Sequence, residues 1–223
     1  MKQFLIAVSL SLFFSCTKKQ ETVQITNENL TEVLGQYFKD NPERKVVIET
    51  DYGLLKIKLY DETPLHTVNF IKHIKEGTYD NAEFYRIFYQ FMIQGGIFPK
   101  ELSYTIPAEF NATHIHKKGA LSMARSDENN PNLESSATEF FIVHGSPYAD
   151  YQVENEEDNH NLTLTPEQKQ IYMSQGGYMS LDQQYTVFGE VTEGLEIIDK
   201  IASVKVYNQD KPLRKIPLRI RLE

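Results

Sequence analysis

Between Phe84 and Gly96 a single arginine stands in a run of aromatic, aliphatic and thioether side chains that closes on two glycines. If this run forms a pair of short strands, side chains two apart share a face, so Phe84, Arg86 and Phe88 point one way and Phe91, Ile93 and Gly95 another. Arg86 then lies on a sheet surface beside large apolar groups. A guanidinium keeps its charge at any relevant pH and offers five donors in a fixed fork. Next to an apolar pocket it suits a ligand that brings a greasy ring and an amide acceptor together, as proline does in a peptide. The alternative is a core strand whose arginine reaches water along its own stem.

The chain has 223 residues, enough for one sizeable core, with 40% hydrophobic and 24% charged residues as in ordinary globular proteins. Its formal charge is −8. Nucleic-acid phosphates call for a basic face, so that class of partner is excluded. No internal repeat is visible.

The start reads Met-Lys-Gln, then an apolar run from Phe4 to Phe14, then Ser15-Cys16. A positive tip, a short hydrophobic run and a small residue before the break make a secretory signal over 1–15, and the run is too short to span a bilayer as a helix. Cys16, the one cysteine of the chain, cannot staple its own fold. Its place fits the acceptor of a bacterial lipid anchor, although Phe13 and Phe14 depart from the usual leucine and small residues before such a cysteine. The expectation is an exported protein, lipid-anchored to a bacterial envelope membrane and facing the periplasm.

Residues 16–44 then divide into a polar tether and a helix from Asn27 to Phe38, with Leu30, Val33, Leu34 and Tyr37 at helical spacing and Asn27 as its cap. Val46–Thr50 and Leu55–Tyr60 form a hairpin around Asp51-Tyr52-Gly53. Thr63-Pro64 opens a helix with a hydroxyl cap, carrying Leu65, Val68, Ile71 and Ile74 as far as Gly77. Leu195, Ile198 and Ala202 suggest another. Ile216, Leu218, Ile220 and Leu222 alternate with polar residues in a half-buried terminal strand whose pairing Pro217 limits.

Three further segments join the Arg86 run: Gly119 to Arg125, Thr138 to Val143, and Leu181 to Val191. In this order and at these spacings they resemble the cyclophilin-type peptidyl-prolyl isomerases, over a domain from 45 to 223. The resemblance implies a mainly β fold, a closed eight-stranded antiparallel barrel capped by two helices, with an N-terminal helix and a helical insertion added here. It implies that Arg86 is the catalytic donor. Phe91, Met92, Phe141 and Leu181 match the proline pocket, with Tyr185 where relatives carry histidine or tyrosine. Gln94 matches the glutamine that positions the arginine. Ala124 and the main chain of Arg125 match the ledge for the residue before proline. Glu139 stands where glutamine is usual, Tyr85 where histidine is common, and Ser180 where many members have tryptophan. Glu139 could pair with Arg86, and the missing indole at Ser180 implies weak cyclosporin binding.

Two insertions set the chain apart. Ser126 to Ser136 is polar and would rise beside the groove. The second, about 145–179, is too long for a bare loop. Its Glu154, Glu156, Glu157 and Asp158 read as a solvated acidic run, while Thr165-Pro166-Glu167-Gln168 reads as a capping box opening a helix that Gly176-Gly177 ends. It is either a lid near the pocket or a passive addition. His114 and His116 could share a strand face as two ligands, but with no third ligand nearby no metal is expected. The expectation is thus a monomeric, cofactor-free isomerase acting on proline-containing unfolded or flexible polypeptides. The alternative is a non-catalytic proline-peptide chaperone or assembly lipoprotein using the same groove.

Overall fold

A computed structural model describes residues 24–97 and 102–223. The signal segment, Cys16 and most of the tether lie outside the described residues.

Eight strands make one antiparallel sheet: β1 (Lys45–Thr50), β2 (Gly53–Leu59), β3 (Glu83–Phe88), β4 (Met92–Gly96), β5 (Ala120–Met123), β6 (Glu139–Val143), β7 (Val187–Glu193) and β8 (Leu218–Leu222). Their order is β3-β4-β6-β5-β7-β2-β1-β8. Alternation decides which side is core. Leu55, Ile57 and Leu59 of β2 are buried while Lys56 and Lys58 face out, as a period of two requires. The sheet curls until β3 meets the approach to β8, where Phe84 N donates to Ile216 O at 2.9 Å and Leu218 N to Ala82 O at 3.0 Å. Pro217 has no N–H to extend this seam, and it contributes only an isolated bridge to Glu83. The barrel is therefore nearly rather than fully closed.

Helices α2 (Pro64–Lys75) and α5 (Leu195–Ala202) send Val68, Phe70, Ile71, Ile197, Ile198 and Ile201 into the barrel core. α1 (Leu30–Asp40) adds Leu30 and Leu34 to the same core and packs along α2. Two caps differ from the sequence reading. α1 begins after Asn29, and Asn27 instead accepts from Thr105 N at 3.0 Å, tying the entry segment to a distant loop. The Thr63 hydroxyl does not cap α2. Its place is taken by Glu109, whose two carboxylate oxygens accept from Leu65 N and His66 N, each at 3.0 Å. A carboxylate there meets both orphan N–H groups and the positive end of the helix dipole, and it satisfies the donors better than a hydroxyl could.

The insertion holds two helices, α3 (Asp150–His160) and α4 (Pro166–Ser174). α4 starts as its capping box requires: Thr165 Oγ1 accepts from Gln168 N at 3.2 Å, and Gln168 Oε1 accepts from Thr165 N at 2.9 Å. In α3 the acidic run is solvated at Glu154 and Asp158, as expected, but not at Glu157. Val153 is its one buried residue, so it carries no apolar stripe; Glu157 holds it in place by accepting from Leu164 N at 3.0 Å and pairing with Lys169 at 2.6 Å. Val153, Leu164, Tyr172 and Met179 form a separate small core with Ile115. Among the described residues no helix is long and apolar enough to cross a membrane.

Candidate active site

The Arg86 strand is irregular, and the irregularity makes the site. Pairing between β3 and β4 slips between Phe84 and Arg86, a bulge that places an extra residue on one strand. Phe84 therefore enters the core while Tyr85 and Arg86 both face outward. This overturns the expectation that Phe84 and Arg86 share a face, and Phe91 likewise turns to the outer cluster while Ile93 enters the core. The paired glycines have a steric cause. Gly96, at φ +117, passes so close to β6 that a Cβ would fall 2.2 Å from Thr138 O, a position only glycine can hold.

On the outer wall, Met92, Ala124, Phe141 and Leu181 form a second apolar cluster, with Phe91, Tyr178 and Tyr185 packed against it. Phe141 meets Tyr185 edge-on at 5.7 Å, and Phe91 lies 4.3 Å from Tyr178. The Arg125 guanidinium sits 4.0 Å over the Tyr185 ring and pairs with Asp127 at 2.9 Å. The floor of this cup is braced from behind. His116 stacks near-parallel on Phe141 at 6.1 Å, its Nδ1 is 2.8 Å from Asp182 Oδ1, and Asp182 Oδ2 accepts from Tyr172 of α4 at 2.6 Å. The insertion is thereby anchored to the residue beside Leu181. His116 is thus committed to Asp182, and His114 stacks on Tyr60 at 4.0 Å.

Beside the cup opens a cavity of about 880 Å³, lined among others by Arg86, Gln94, Ala124, Arg125 and Glu139. Glu139 does not pair with Arg86. It accepts from the Tyr85 hydroxyl at 2.8 Å, and Tyr85 in turn accepts from Gln94 Nε2 at 2.6 Å. The direction of this relay is dictated by its acidic end. A carboxylate can only accept, so the phenol donates to it, and the phenol oxygen is left to receive the Gln94 amide. Burial, and then the Glu139 charge, push the Tyr85 hydroxyl far above its usual range, so it remains protonated and able to donate. Gln94 is thereby oriented with Oε1 toward Arg86, which donates to it from Nη1 at 3.4 Å. On the other edge, Arg86 Nε is 3.4 Å from Asp210 Oδ2. Among the described residues two of the five guanidinium donors are engaged, which leaves the others to face a ligand. Burial raises the Tyr185 hydroxyl, countered in part by the Arg125 charge and, less, by that of Arg86.

Arg86, Gln94, Ala124, Arg125 and Glu139 thus line the cavity beside the cup of Phe91, Met92, Phe141, Leu181 and Tyr185, on one wall of the barrel. Three further participants carry little or no sequence signal. Tyr85 stands out in the sequence only as a departure from the family pattern. Asp210 lies in a loop far along the chain, with no local signal. Tyr178 comes from the end of the insertion.

A barrel of this order, with an apolar cup and a half-exposed arginine on its outer wall, defines a proline-isomerase type of protein, and comparison places it. The family described as cyclophilin type peptidyl-prolyl cis-trans isomerase/CLD matches residues 45–221. A Staphylococcus haemolyticus protein assigned as a peptidyl-prolyl cis-trans isomerase is 34% identical over 82% of this chain and 92% of its own. The crystal structure of a Cryptosporidium parvum cyclophilin-type isomerase superposes with a TM-score of 0.60 at 22% identity, covering 81% of this chain and 98% of that one. The same protein crystallised in the presence of the dipeptide Ala-Pro gives 0.59 at 23% identity. The chain belongs to the cyclophilin-type peptidyl-prolyl cis-trans isomerases. It is an isomerase of that class.

Proposed function

We infer that the chain is an exported, lipid-anchored monomer that accelerates rotation about Xaa-Pro bonds in unfolded or flexible polypeptides, with Arg86 as the catalytic donor. The Ala-Pro dipeptide offered to the Cryptosporidium parvum relative supports a prolyl ligand for the cup. Rotation about a peptide bond is resisted by amide resonance worth about 18–20 kcal/mol, and before proline the unaided exchange takes tens to hundreds of seconds. No bond is made or broken. As the amide twists, its nitrogen regains a lone pair, so a donor fixed beside the ring stabilises the twisted state more than either planar one.

The observation that carries this reading is the position of Arg86: half-exposed, held loosely on two edges, and with donors left over beside the cup. Phe91, Met92, Phe141, Leu181 and Tyr185 grip the proline ring, and Ala124 with the Arg125 main chain holds the preceding residue. Gln94, aligned by Tyr85 and Glu139, sets the guanidinium. A protease-free exchange measurement by NMR on the wild type and on Arg86→Ala tests it. The variant is expected to lose on the order of a hundredfold in rate, as when one fixed donor is removed from an oxyanion site. Equal, accelerated rates in the two proteins would refute the role of Arg86, and no acceleration by either would leave a binder. For the anchor, radiolabelled palmitate should enter the wild type and be lost with Cys16→Ala.

A further inference from the structure

Phe88 and Tyr89, at the turn between β3 and β4, are 46% and 58% exposed. Single exposed aromatic residues are ordinary, whereas a contiguous set marks a contact surface. Phe88 is contiguous with the cup: it meets Phe91 edge-on at 5.6 Å, and Phe91 lies against Tyr178, while Tyr89 turns to His144 at 5.2 Å. The backbone that presents them is pinned. Phe91 N donates to Phe88 O at 3.0 Å, and His144 N and Gly145 N both donate to Phe91 O, at 2.9 and 3.1 Å. Gln90 is held at φ 63, its N–H donating to His144 Nδ1 at 2.9 Å. A side chain in that left-handed region is strained, and the surrounding bonds keep it there. Rigid aromatic surfaces bind at low entropic cost, because little freedom is left to lose.

The order of residues along β4 gives the groove a direction. Met92 pairs with Phe88, Gln94 with Arg86, and Gly96 with both Glu83 and Glu139. At a rise of about 3.4 Å per residue the two ends lie roughly 14 Å apart, with the aromatic turn at one end, the polar cavity at the other and Arg86 between. With the residue before proline on the Ala124–Arg125 ledge at the cavity side, the chain beyond the ring leaves over Phe91.

We propose that Phe88 and Tyr178, joined through Phe91, form a shelf that takes an aromatic or large aliphatic side chain immediately after the proline. The protein is then selective for Xaa-Pro-aromatic sequences, of the kind that unfolded chains expose. This rests on the reading of the cup as the proline site, and Tyr178 gives the insertion a share in selectivity.

The test uses Ala-Ala-Pro-Yaa peptides with Phe, Leu, Ala or Glu last, with exchange rates and affinities both followed by NMR. The wild type should bind the Phe peptide at least about fivefold more tightly than the Ala peptide, with Leu between and Glu weakest, the difference lying in KM rather than kcat. Phe88→Ala, a change at an exposed site, should bring the Phe/Ala ratio close to one, and Phe88→Tyr should restore it. Equal affinities for the Phe and Ala peptides in the wild type would overturn the shelf while leaving the isomerase reading intact. Absence of exchange with every peptide would instead sink the isomerase reading, and the affinities would still decide the shelf.

Discussion

The two halves of the groove are built on opposite terms. The apolar cup is dense, with Met92, Phe141 and Leu181 buried and Phe141 backed by a buried His116–Asp182–Tyr172 network. The polar half is loose: Arg86 is held at 3.4 Å on either side by partners that leave most of its donors unspent. A surface that must grip a flat ring is best pre-formed, since every ordered side chain is one that binding need not order. A donor that must follow a nitrogen through a rotation is better left unsaturated. Binding and rate should therefore respond to different substitutions.

The largest effects separate the halves. Phe141→Ala removes a buried ring and should cost about 3 kcal/mol of stability, read as a lowered urea midpoint, together with a weakened affinity for prolyl peptides. Arg86→Ala, at a half-exposed site, should leave the midpoint within about 0.5 kcal/mol while the rate collapses. If Phe141→Ala instead lowered kcat alone, or Arg86→Ala unfolded the protein, the division into grip and donor would be wrong.

Next in size is the relay. Tyr85→Phe leaves the Glu139 carboxylate and the Gln94 amide without their shared partner and frees Gln94 to turn. A lost hydrogen bond to a charged group amounts to about 1.5 kcal/mol or more, so kcat should fall about tenfold, as read by NMR exchange, with KM little changed. Glu139→Gln tests the direction of the relay, because an amide can donate as well as accept, and a smaller loss in kcat is expected. Asp210→Asn should do least. An ion pair this exposed contributes at most about 1 kcal/mol, so the change in kcat should stay within about fivefold, and it should shrink further in high salt.

The legibility of these parts in the sequence follows from how local their causes are. The β2 alternation and the α4 capping box each depend on residues within a few positions, and the structure follows both. The β3 bulge does not: it trades one residue between faces, so a period of two counted from Phe84 misassigns Arg86. Glu109 caps α2 from a loop far along the chain, and Asp210 reaches Arg86 from beyond β7, so neither leaves a trace near its target. α3 escaped because one buried valine cannot make a stripe. The site residues came together because each motif carries its own stretch of wall, and barrel register aligns the stretches.

Acidification should reach the apolar half first. Burial, and then Lys118, hold His144 below its usual value of 6.5, with Asp199 opposing them. Neutral His144 accepts from Gln90 N through Nδ1 while Nε2 faces Asp199 at 3.1 Å. A histidine with a lowered folded pKa favours the neutral form, so its contribution is complete above pH 6.5 and is lost as pH falls through the lowered value. Protonation puts a hydrogen on Nδ1 and ends the bond that pins the aromatic turn. His114 is lowered by burial too and drains stability in the same window, whereas Glu43 and Glu157, lowered chiefly by Lys75 and by hydrogen bonds including that of Lys169, act only below 4.5. Between pH 7.5 and 5, then, the melting temperature should fall and affinity for Phe-bearing peptides should weaken before kcat changes. His144→Gln should flatten the affinity trend and leave the His114 share of the melting trend. If affinity in the wild type held constant across that range, the turn would owe nothing to His144.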